Sequence, residues 1–243
     1  GLSQPDSGSV AMQKGCVVSY LPQSGLVFEG RSLTDEADEA FARFHALETR
    51  KRDIERELGS VSDGDDGVSP LLHEHDELQE ALVHSGFYDR EPVIHRVLVG
   101  LGFSESDFDR KTEEFSGGWQ MRIGLAKVLL ADPDIVLLDE PTNYLDIEAR
   151  TWLEEFLAGF DGGVVVVSHD RYFLDVTVTQ VAELLRSRLT LYAGNYSEYE
   201  RRRTEELESL YADYKQQQRE IERLEAFIRR FRAKPTKAAQ VQS

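Results

Sequence analysis

Two adjacent carboxylates follow an apolar run in the middle of this chain. The segment "IVLLDE" is typical of a buried strand that ends in Asp139 and Glu140, and open α/β sheets bind their ligands at that edge. Asp139 is suited to hold Mg²⁺ through a water, because Mg²⁺ takes few carboxylates together with waters and phosphate oxygens. Glu140 is suited to polarise an attacking water as a general base. Taken alone, the pair is equally typical of a solvated strand end.

A serine and two glycines open a helix shortly before that strand. In "SGGWQ", Gly117 and Gly118 leave backbone N–H groups free to approach an anion, and the positive end of the helix dipole lies at the same place. The Ser116 hydroxyl is a further donor. These groups are suited to phosphate binding, although a Ser-Gly-Gly turn before an ordinary capped helix has the same sequence.

Two more polar residues follow predicted strands. His169 comes after four valines in "VVVVSHD", where it could hydrogen-bond a terminal phosphate or cap the next helix. Gln23 follows a β-prone run in "YLPQ", where it could reach Mg²⁺ or the attacking water, or serve only as a loop residue. No stretch of the chain reads G-x-x-x-x-G-K-[ST], the loop that commonly grips nucleotide phosphates.

The elements that must position these groups indicate an α/β core. The runs "IVLLD" and "GVVVV" predict strands of a parallel sheet that is covered on both faces, with a helix between them. Two short β-prone runs, at 9–12 and at 16–20, are separated by a glycine and predict a hairpin or meander. Two further short strands and a turn are expected between residues 180 and 199.

Apolar residues at helical spacing predict a helical region between the first strands and the Ser-Gly-Gly turn. The pattern runs from Arg31 to Phe103, with an acidic loop around residues 59–70. Gly100 and Gly102 are the predicted stop signals at its end. The helical segment is therefore inserted within the α/β core.

A different pattern starts at Glu200. Apolar residues alternate at spacings of three and four, which is typical of a coiled-coil seam, with Gln217 as one polar interruption. The length of this seam favours a helix that projects and pairs with another helix, rather than one packed on the domain. Pro235 is expected to end it. A basic cluster lies near this end and comprises Arg229, Arg230, Arg232, Lys234 and Lys237.

Charge and composition limit the class of protein. The 243 residues carry a formal net charge of −17, yet the segment from Glu200 onward holds eleven Lys or Arg against eight Asp or Glu. An acidic body with a basic tip indicates that only the tip meets a polyanion. Cys16 is the only cysteine, which excludes an internal disulfide and favours a reducing compartment. No apolar run approaches the roughly 20 residues of a membrane helix.

Five segments now stand in one order: "YLPQ", "FSGGWQ", "IVLLDE", "PTNYLD" and "VSHD". This combination resembles an ATP-binding cassette from Gly1 to about Tyr199, although each piece is weak alone. The segment "DEPTNYLD" is similar to the "DEPTNHLD" of the ABC-F family, with Tyr144 in place of the usual His. Trp119 in "FSGGW" and the long charged helix after "GNYSEY" also resemble that family.

The resemblance implies a fold and a set of site residues. The fold is α/β, an ATP-binding cassette of the P-loop NTPase type with a helical subdomain at about 31–132. Residues 1–199 would form this domain, and 200–243 a coiled-coil-like linker helix. Glu140 and His169 are the implied catalytic residues, and Gln23 and Asp139 the implied ligands of Mg²⁺. The implied ATP-binding residues are Gln23, Ser116, Gly117, Gly118, Gln120, Asp139 and Asp146.

The resemblance also implies how the parts would cooperate. The resemblance implies that Asp139 and Glu140 end the Walker B segment and that Ser116–Gly118 belong to the signature loop. In cassettes, ATP lies between the P-loop and Walker B of one cassette and the signature loop of another. Ser116–Gly118 would then serve the nucleotide of a second cassette, and Glu140 that of this one. The chain is expected to be a fragment that lacks its P-loop and to hydrolyse little ATP by itself.

The ABC-F resemblance implies a soluble, cytoplasmic ATPase that acts on the ribosome in translation. The basic tip would contact ribosomal or transfer RNA by charge and shape, although a solvated basic helix end would also suit the helix dipole. An alternative is the ATPase subunit of a membrane transporter, which shares the catalytic elements but does not predict the seam or the basic tip. A decayed, non-catalytic cassette is a third possibility, against which Glu140 and His169 argue.

Overall fold

The computed structural model describes residues 6–60 and 68–232. These residues form two compact units that divide between Phe173 and Leu174. The sequence suggested a division near residue 199 instead. The difference arises because the last two described strands belong to the same unit as the long helix that follows them.

A three-stranded parallel sheet lies in the first unit. Its strands are β1 (Val18–Leu21), β2 (Ile135–Asp139) and β3 (Gly163–Val167), and β2 lies between the other two. The register pairs Leu21 with Leu138, and Asp139 with Val167. All three strands therefore end at one edge of the sheet, and the segments that follow them meet there.

The sheet is buried more on one face than on the other. Val136 and Leu138 of β2 are fully buried, but Val165 and Val167 of β3 are 57% and 59% exposed. The prediction that both strands are covered on both faces is therefore wrong within the described part of the chain. Burial on β3 alternates with a period of two because only one of its faces packs against the core.

The predicted hairpin near the start of the chain is also wrong. Residues 9–12 form no strand, and β1 pairs in parallel with β2, more than a hundred residues further along. Short β-prone runs specify strand conformation but not the partner strand, because the partner is chosen by burial and long-range packing. β1 therefore completes the sheet instead of folding back on its neighbour.

The predicted helical region is confirmed. It contains α1 (Leu33–Asp38), α2 (Ala42–Ser60), α3 (Val68–His84) and α4 (Arg90–Gly100). The side chain of Ser32 caps α1 by accepting from the Asp35 N–H at 3.1 Å. The helix α4 ends at Gly100, as its glycines predicted.

Two further helices lie in the first unit. The helix α5 (Gly117–Leu130) buries most of its residues, including Ile123 and Leu125. The helix α6 (Ile147–Ala158) follows β2 and begins at Asp146, whose carboxylate accepts from the Ala149 N–H at 2.9 Å. Both helices thus start at segments that carry predicted site residues.

The second unit contains the predicted antiparallel strands and the long helix. The helix α7 (Arg171–Thr177) leads from the first unit into β4 (Gln180–Leu185), β5 (Arg188–Ala193) and α8 (Tyr196–Arg232). In this unit Tyr192 donates to Glu206 at 3.0 Å. Within residues 6–60 and 68–232, no helix is both long enough and apolar enough to cross a membrane.

The seam of α8 is exposed along its described length. Leu210 is 66% exposed and Leu224 is 57% exposed, and the other apolar seam residues with described side chains are also exposed. Pro235, the predicted end of this helix, lies outside the described residues. An apolar stripe of this length in water is typical of a helix that pairs with another helix.

A glycine at the end of α4 makes room for an arginine of α5. Gly102 has a φ of +91°, and a Cβ there would lie 2.6 Å from Nη1 of Arg122. The same Nη1 donates to the carbonyl of Leu101 at 2.9 Å. Gly102 therefore permits both the left-handed turn and the close approach of the guanidinium.

Replacing Gly102 with Ala should lower the free energy of unfolding of the chain by about 2 kcal/mol. The loss combines backbone strain at positive φ with displacement of Arg122. Urea unfolding followed by circular dichroism measures it. The matched control is Gly59→Ala at an exposed position of α2, where a Cβ meets no atom within 4 Å. This substitution should raise the free energy of unfolding by up to about 1 kcal/mol. Equal effects at the two sites would contradict the prediction.

Candidate functional site

The carboxylate of Glu140 lies at the carboxyl edge of the sheet. Its backbone N–H donates to the carbonyl of Val167 at 2.8 Å, which extends the pairing of β2 with β3 by one residue. The backbone then turns with a φ of +52°, a left-handed conformation that is costly for a residue with a Cβ. The side chain is only 4% exposed. The turn thus directs a carboxylate into a protected position at the sheet edge.

His169 lies directly beside this carboxylate. Its backbone N–H donates to Oε2 of Glu140 at 3.3 Å, and its Nε2 lies 3.5 Å from Oε1 of the same residue. The imidazole itself is 98% exposed. The structure therefore brings together the two residues predicted to be catalytic, one buried and one facing solvent.

The two predicted magnesium ligands follow neighbouring strands. Asp139 is the last residue of β2 and is half-buried. Gln23 comes two residues after the end of β1 and is exposed. Among the described residues, no group of three or more His, Cys, Asp and Glu side chains is placed to hold a metal. A magnesium ion at this edge would need waters and phosphate oxygens as well, which is its usual coordination.

The Ser116–Gly118 loop begins the helix α5. Ser116 is the N-cap residue, but its hydroxyl makes no capping hydrogen bond, and the residue is exposed. A Cβ at Gly117 would meet no atom within 4 Å. The first N–H groups of a helix have no partner within it. The loop therefore offers N–H groups and a hydroxyl to an anion.

Gln120 is placed differently from the rest of the loop. Its side chain is buried, its Oε1 accepts from the Phe28 N–H at 2.9 Å, and its Nε2 donates to the carbonyl of Thr112 at 2.5 Å. These bonds join the segment after β1 to the segment before α5. In this structure the side-chain amide of Gln120 is therefore bonded within the fold, where it supports the loop.

Asp146 joins the two halves of the site. One carboxylate oxygen caps α6, and the other accepts from Nη1 of Arg122 at 3.0 Å. The Ala149 N–H, followed by the Arg122 guanidinium, lowers the pKa of Asp146 below its usual range. The carboxylate is therefore held in its charged form beside the loop that follows Glu140.

Arg122 contacts several parts of the site and was not among the residues predicted from the sequence. Besides Asp146 and Leu101, its guanidinium donates through Nε to the carbonyl of Tyr144 at 2.8 Å and lies 4.3 Å from the centroid of the Trp119 ring. It ties the start of α5 to the loop after β2. The sequence feature that could have identified it is an arginine on the apolar side of a predicted helix, because a buried guanidinium requires polar partners.

The predicted RNA-binding residues are only partly described. Arg229 and Arg230 are exposed on α8, and Arg232 is the last residue of that helix. Lys234 and Lys237 lie outside the described residues. Arg229 and Arg230 thus present cationic side chains to solvent.

Comparison with known families identifies both parts of the chain. A family model described as "ABC transporter" matches residues 1–143. A second model with the same description matches residues 182–243. The first match covers more than half of the chain and includes the Ser116–Gly118 loop, Glu140 and Asn143.

Curated relatives match almost the whole chain. The ABC transporter F family member 5 of Arabidopsis thaliana is 35% identical over 234 residues, which are 96% of this chain and 34% of that protein. The ABC transporter ATP-binding protein YfmM of Bacillus subtilis is 33% identical over 96% of this chain and 45% of its own length. The chain thus spans less than half the length of these relatives.

A solved structure supports the fold. The ATP-binding subunit of an ABC transporter aligns with a TM-score of 0.52 and 15% identity, over 81% of this chain and 67% of that one. At this identity the match concerns the fold alone, and it agrees with the predicted α/β core and helical subdomain. The family models and the F family relatives show that the chain belongs to the ABC transporter family of ATP-binding cassette proteins.

Proposed function

We propose that the chain is the ATP-binding and ATP-hydrolysing cassette of an ABC-F-type ATPase that acts on the ribosome in translation. The observation that carries the enzymatic part is the buried Glu140 carboxylate beside exposed His169 at the end of β2. A buried carboxylate next to a solvent-facing imidazole is suited to proton transfer at a sheet edge where ligands bind.

Each residue has a distinct role in this proposal. Bound ATP with Mg²⁺ supplies the phosphoanhydride bond that is hydrolysed and the metal charge that neutralises the phosphates. Glu140 accepts the proton of the attacking water, and His169 hydrogen-bonds the terminal phosphate. Asp139 and Gln23 would hold the metal together with its waters. These roles fit because the side chains follow adjacent parallel strands at one edge.

The Ser116–Gly118 loop would bind the nucleotide held by a second cassette of the natural protein. The Ser116 hydroxyl, which makes no capping bond, and the exposed positions of Ser116 and Gly117 support this role. The link from Arg122 to Asp146 and Tyr144 would make the loop respond to changes at the carboxylate edge. No P-loop sequence occurs within these residues, so we propose that a segment outside them supplies it.

Three observations support a ribosomal rather than a transport role. Residues 139–146 read "DEPTNYLD", a relative is named as an F family member, and α8 exposes both an apolar seam and a basic end. The seam would pair with a returning helix, and the basic end would contact ribosomal or transfer RNA in the cytoplasm. The alternative, a transporter ATPase subunit, accounts for the same catalytic residues but not for this helix.

Replacing Glu140 with Gln in the full-length natural protein, together with the matching glutamate of its second cassette, should abolish ATP hydrolysis and preserve ATP binding. An amide cannot accept the proton of the attacking water, so the ATP-bound state persists. The variant should sediment with ribosomes in ATP but not in ADP.

Glu155→Gln makes the same chemical change at an exposed position of α6, and should leave turnover and sedimentation unchanged. If the Glu140 variant no longer hydrolyses ATP but fails to sediment with ribosomes in either ATP or ADP, the transporter alternative is supported. Full turnover in the Glu140 variant would refute the base role.

Residues 1–243 alone should hydrolyse ATP at a rate close to that of buffer, because they contain no P-loop lysine to hold the phosphates. Release of inorganic phosphate from Mg²⁺-ATP measures this rate. Substantial magnesium-dependent turnover that disappears in Glu140→Gln would show that the phosphates are held by another means.

Replacing Arg229 and Arg230 with Gln should weaken ribosome binding of the full-length protein and reduce its dependence on salt. The slope of log K against log salt should become shallower by about 0.7–0.9 for each phosphate that the protein no longer neutralises. Replacing Arg201 and Arg202 with Gln is the matched control, because this pair is also adjacent and exposed on α8. Equal slopes for both variants would show that the basic end does not contact RNA.

A further inference from the structure

The exposed imidazole of His169 needs support from its backbone. At 98% exposure the side chain has almost no packing contacts to fix it. Its N–H bond to Glu140 is 3.3 Å long, which is at the weak end of the usual range. The segment that follows His169 must therefore contribute to its position.

Asp170 provides that support through its backbone and both carboxylate oxygens. Its N–H donates to Oγ of Ser168 at 3.1 Å. Its Oδ1 caps α7 by accepting from the Phe173 N–H at 3.1 Å. Its Oδ2 accepts from Nη1 of Arg150 at 2.8 Å. The first two bonds are local, and the third connects this segment to another element of the fold.

Arg150 lies on α6, the helix that starts at Asp146. The ion pair is sheltered, with side-chain exposures of 27% for Arg150 and 22% for Asp170. Oε1 of Glu154 lies 3.7 Å from Nε of Arg150, and both of these atoms are buried without a hydrogen-bond partner. The strong polar contact of this guanidinium is therefore the charge-assisted bond to Asp170, a class of bond that is shorter and stronger than a neutral one.

We propose that Arg150 is a positioning residue for ATP hydrolysis: through Asp170 it holds His169 in place against Glu140 and ties it to the start of α6. This inference rests on the function proposed above. Arg150 contacts neither predicted catalytic side chain directly, so its loss changes where the imidazole sits and not the chemistry of the site. Turnover should respond more strongly than nucleotide affinity.

The test is made in the full-length natural protein with Arg150→Met, which retains length and apolar bulk but removes the donor. We expect kcat to fall about tenfold, because a small misplacement of a catalytic group costs one to two orders of magnitude in rate. KM for ATP should stay within about twofold. Asp170→Asn should give the same pattern, since Asn still caps α7 but loses the ion pair.

The effect of Arg150→Met on kcat, measured with and without His169, shows whether Arg150 positions the imidazole or only stabilises the fold. If Arg150 acts through the imidazole, Arg150→Met should have no further effect on kcat in a His169→Gln background, because effects within one unit are not additive. The matched control is Arg90→Met. This variant breaks the ion pair between Arg90 and Asp38 in the helical region. That pair has a similar distance of 2.9 Å and similar side-chain exposures of 22% and 30%. The control should leave kcat unchanged.

Each outcome has a defined meaning. An unchanged kcat for both Arg150→Met and Asp170→Asn, with His169→Gln strongly slowed but still measurable, overturns the inference and leaves the proposed function intact. A tenfold loss that also appears in the His169→Gln background overturns it as well, because Arg150 would then act elsewhere. Full activity of both His169→Gln and Glu140→Gln would refute the proposed function itself.

Discussion

A buried guanidinium must have its donors satisfied, and this requirement organises the site. Arg122 is 8% exposed, and leaving such a charge without partners would cost several kcal/mol. Its partners lie on the turn after α4 and on the loop after β2, while its own helix carries the Ser116–Gly118 loop. Three segments distant in sequence are thereby fixed against one another. Gly102 has no side chain, and the space this leaves is occupied by the guanidinium.

The parallel register of the sheet supplies the second constraint. Because β1, β2 and β3 end at one edge, the residues that follow them converge there, and His169 after β3 contacts Glu140 after β2. Backbone pairing continues one residue beyond β2, and the left-handed turn at Glu140 then moves the carboxylate out of the strand path. The geometry of the edge therefore depends on strand pairing and on one strained residue.

Much of this arrangement could be predicted from the sequence, and the failures have physical reasons. The helical region, β2 and the strand-end position of Glu140 follow from local apolar patterns, which depend on nearby residues alone. The partner of β1 and the open face of β3 depend on long-range packing that a local run does not encode. Arg122 was not predicted, and Gln120 was predicted to bind ATP, for a related reason. The role of a buried polar side chain depends on its hydrogen-bond partners, and these partners lie far away in the sequence.

The open face of β3 has a consequence for handling the chain in solution. Its residues "GVVVV" are β-branched after the glycine, uncharged and free of proline, and two of the valines are more than half exposed. Segments of this composition add readily to one another as stacked strands, and exposed apolar strands are frequent starting points for aggregation. The same four valines that lead the chain to His169 therefore form a strand that is prone to self-association at high concentration.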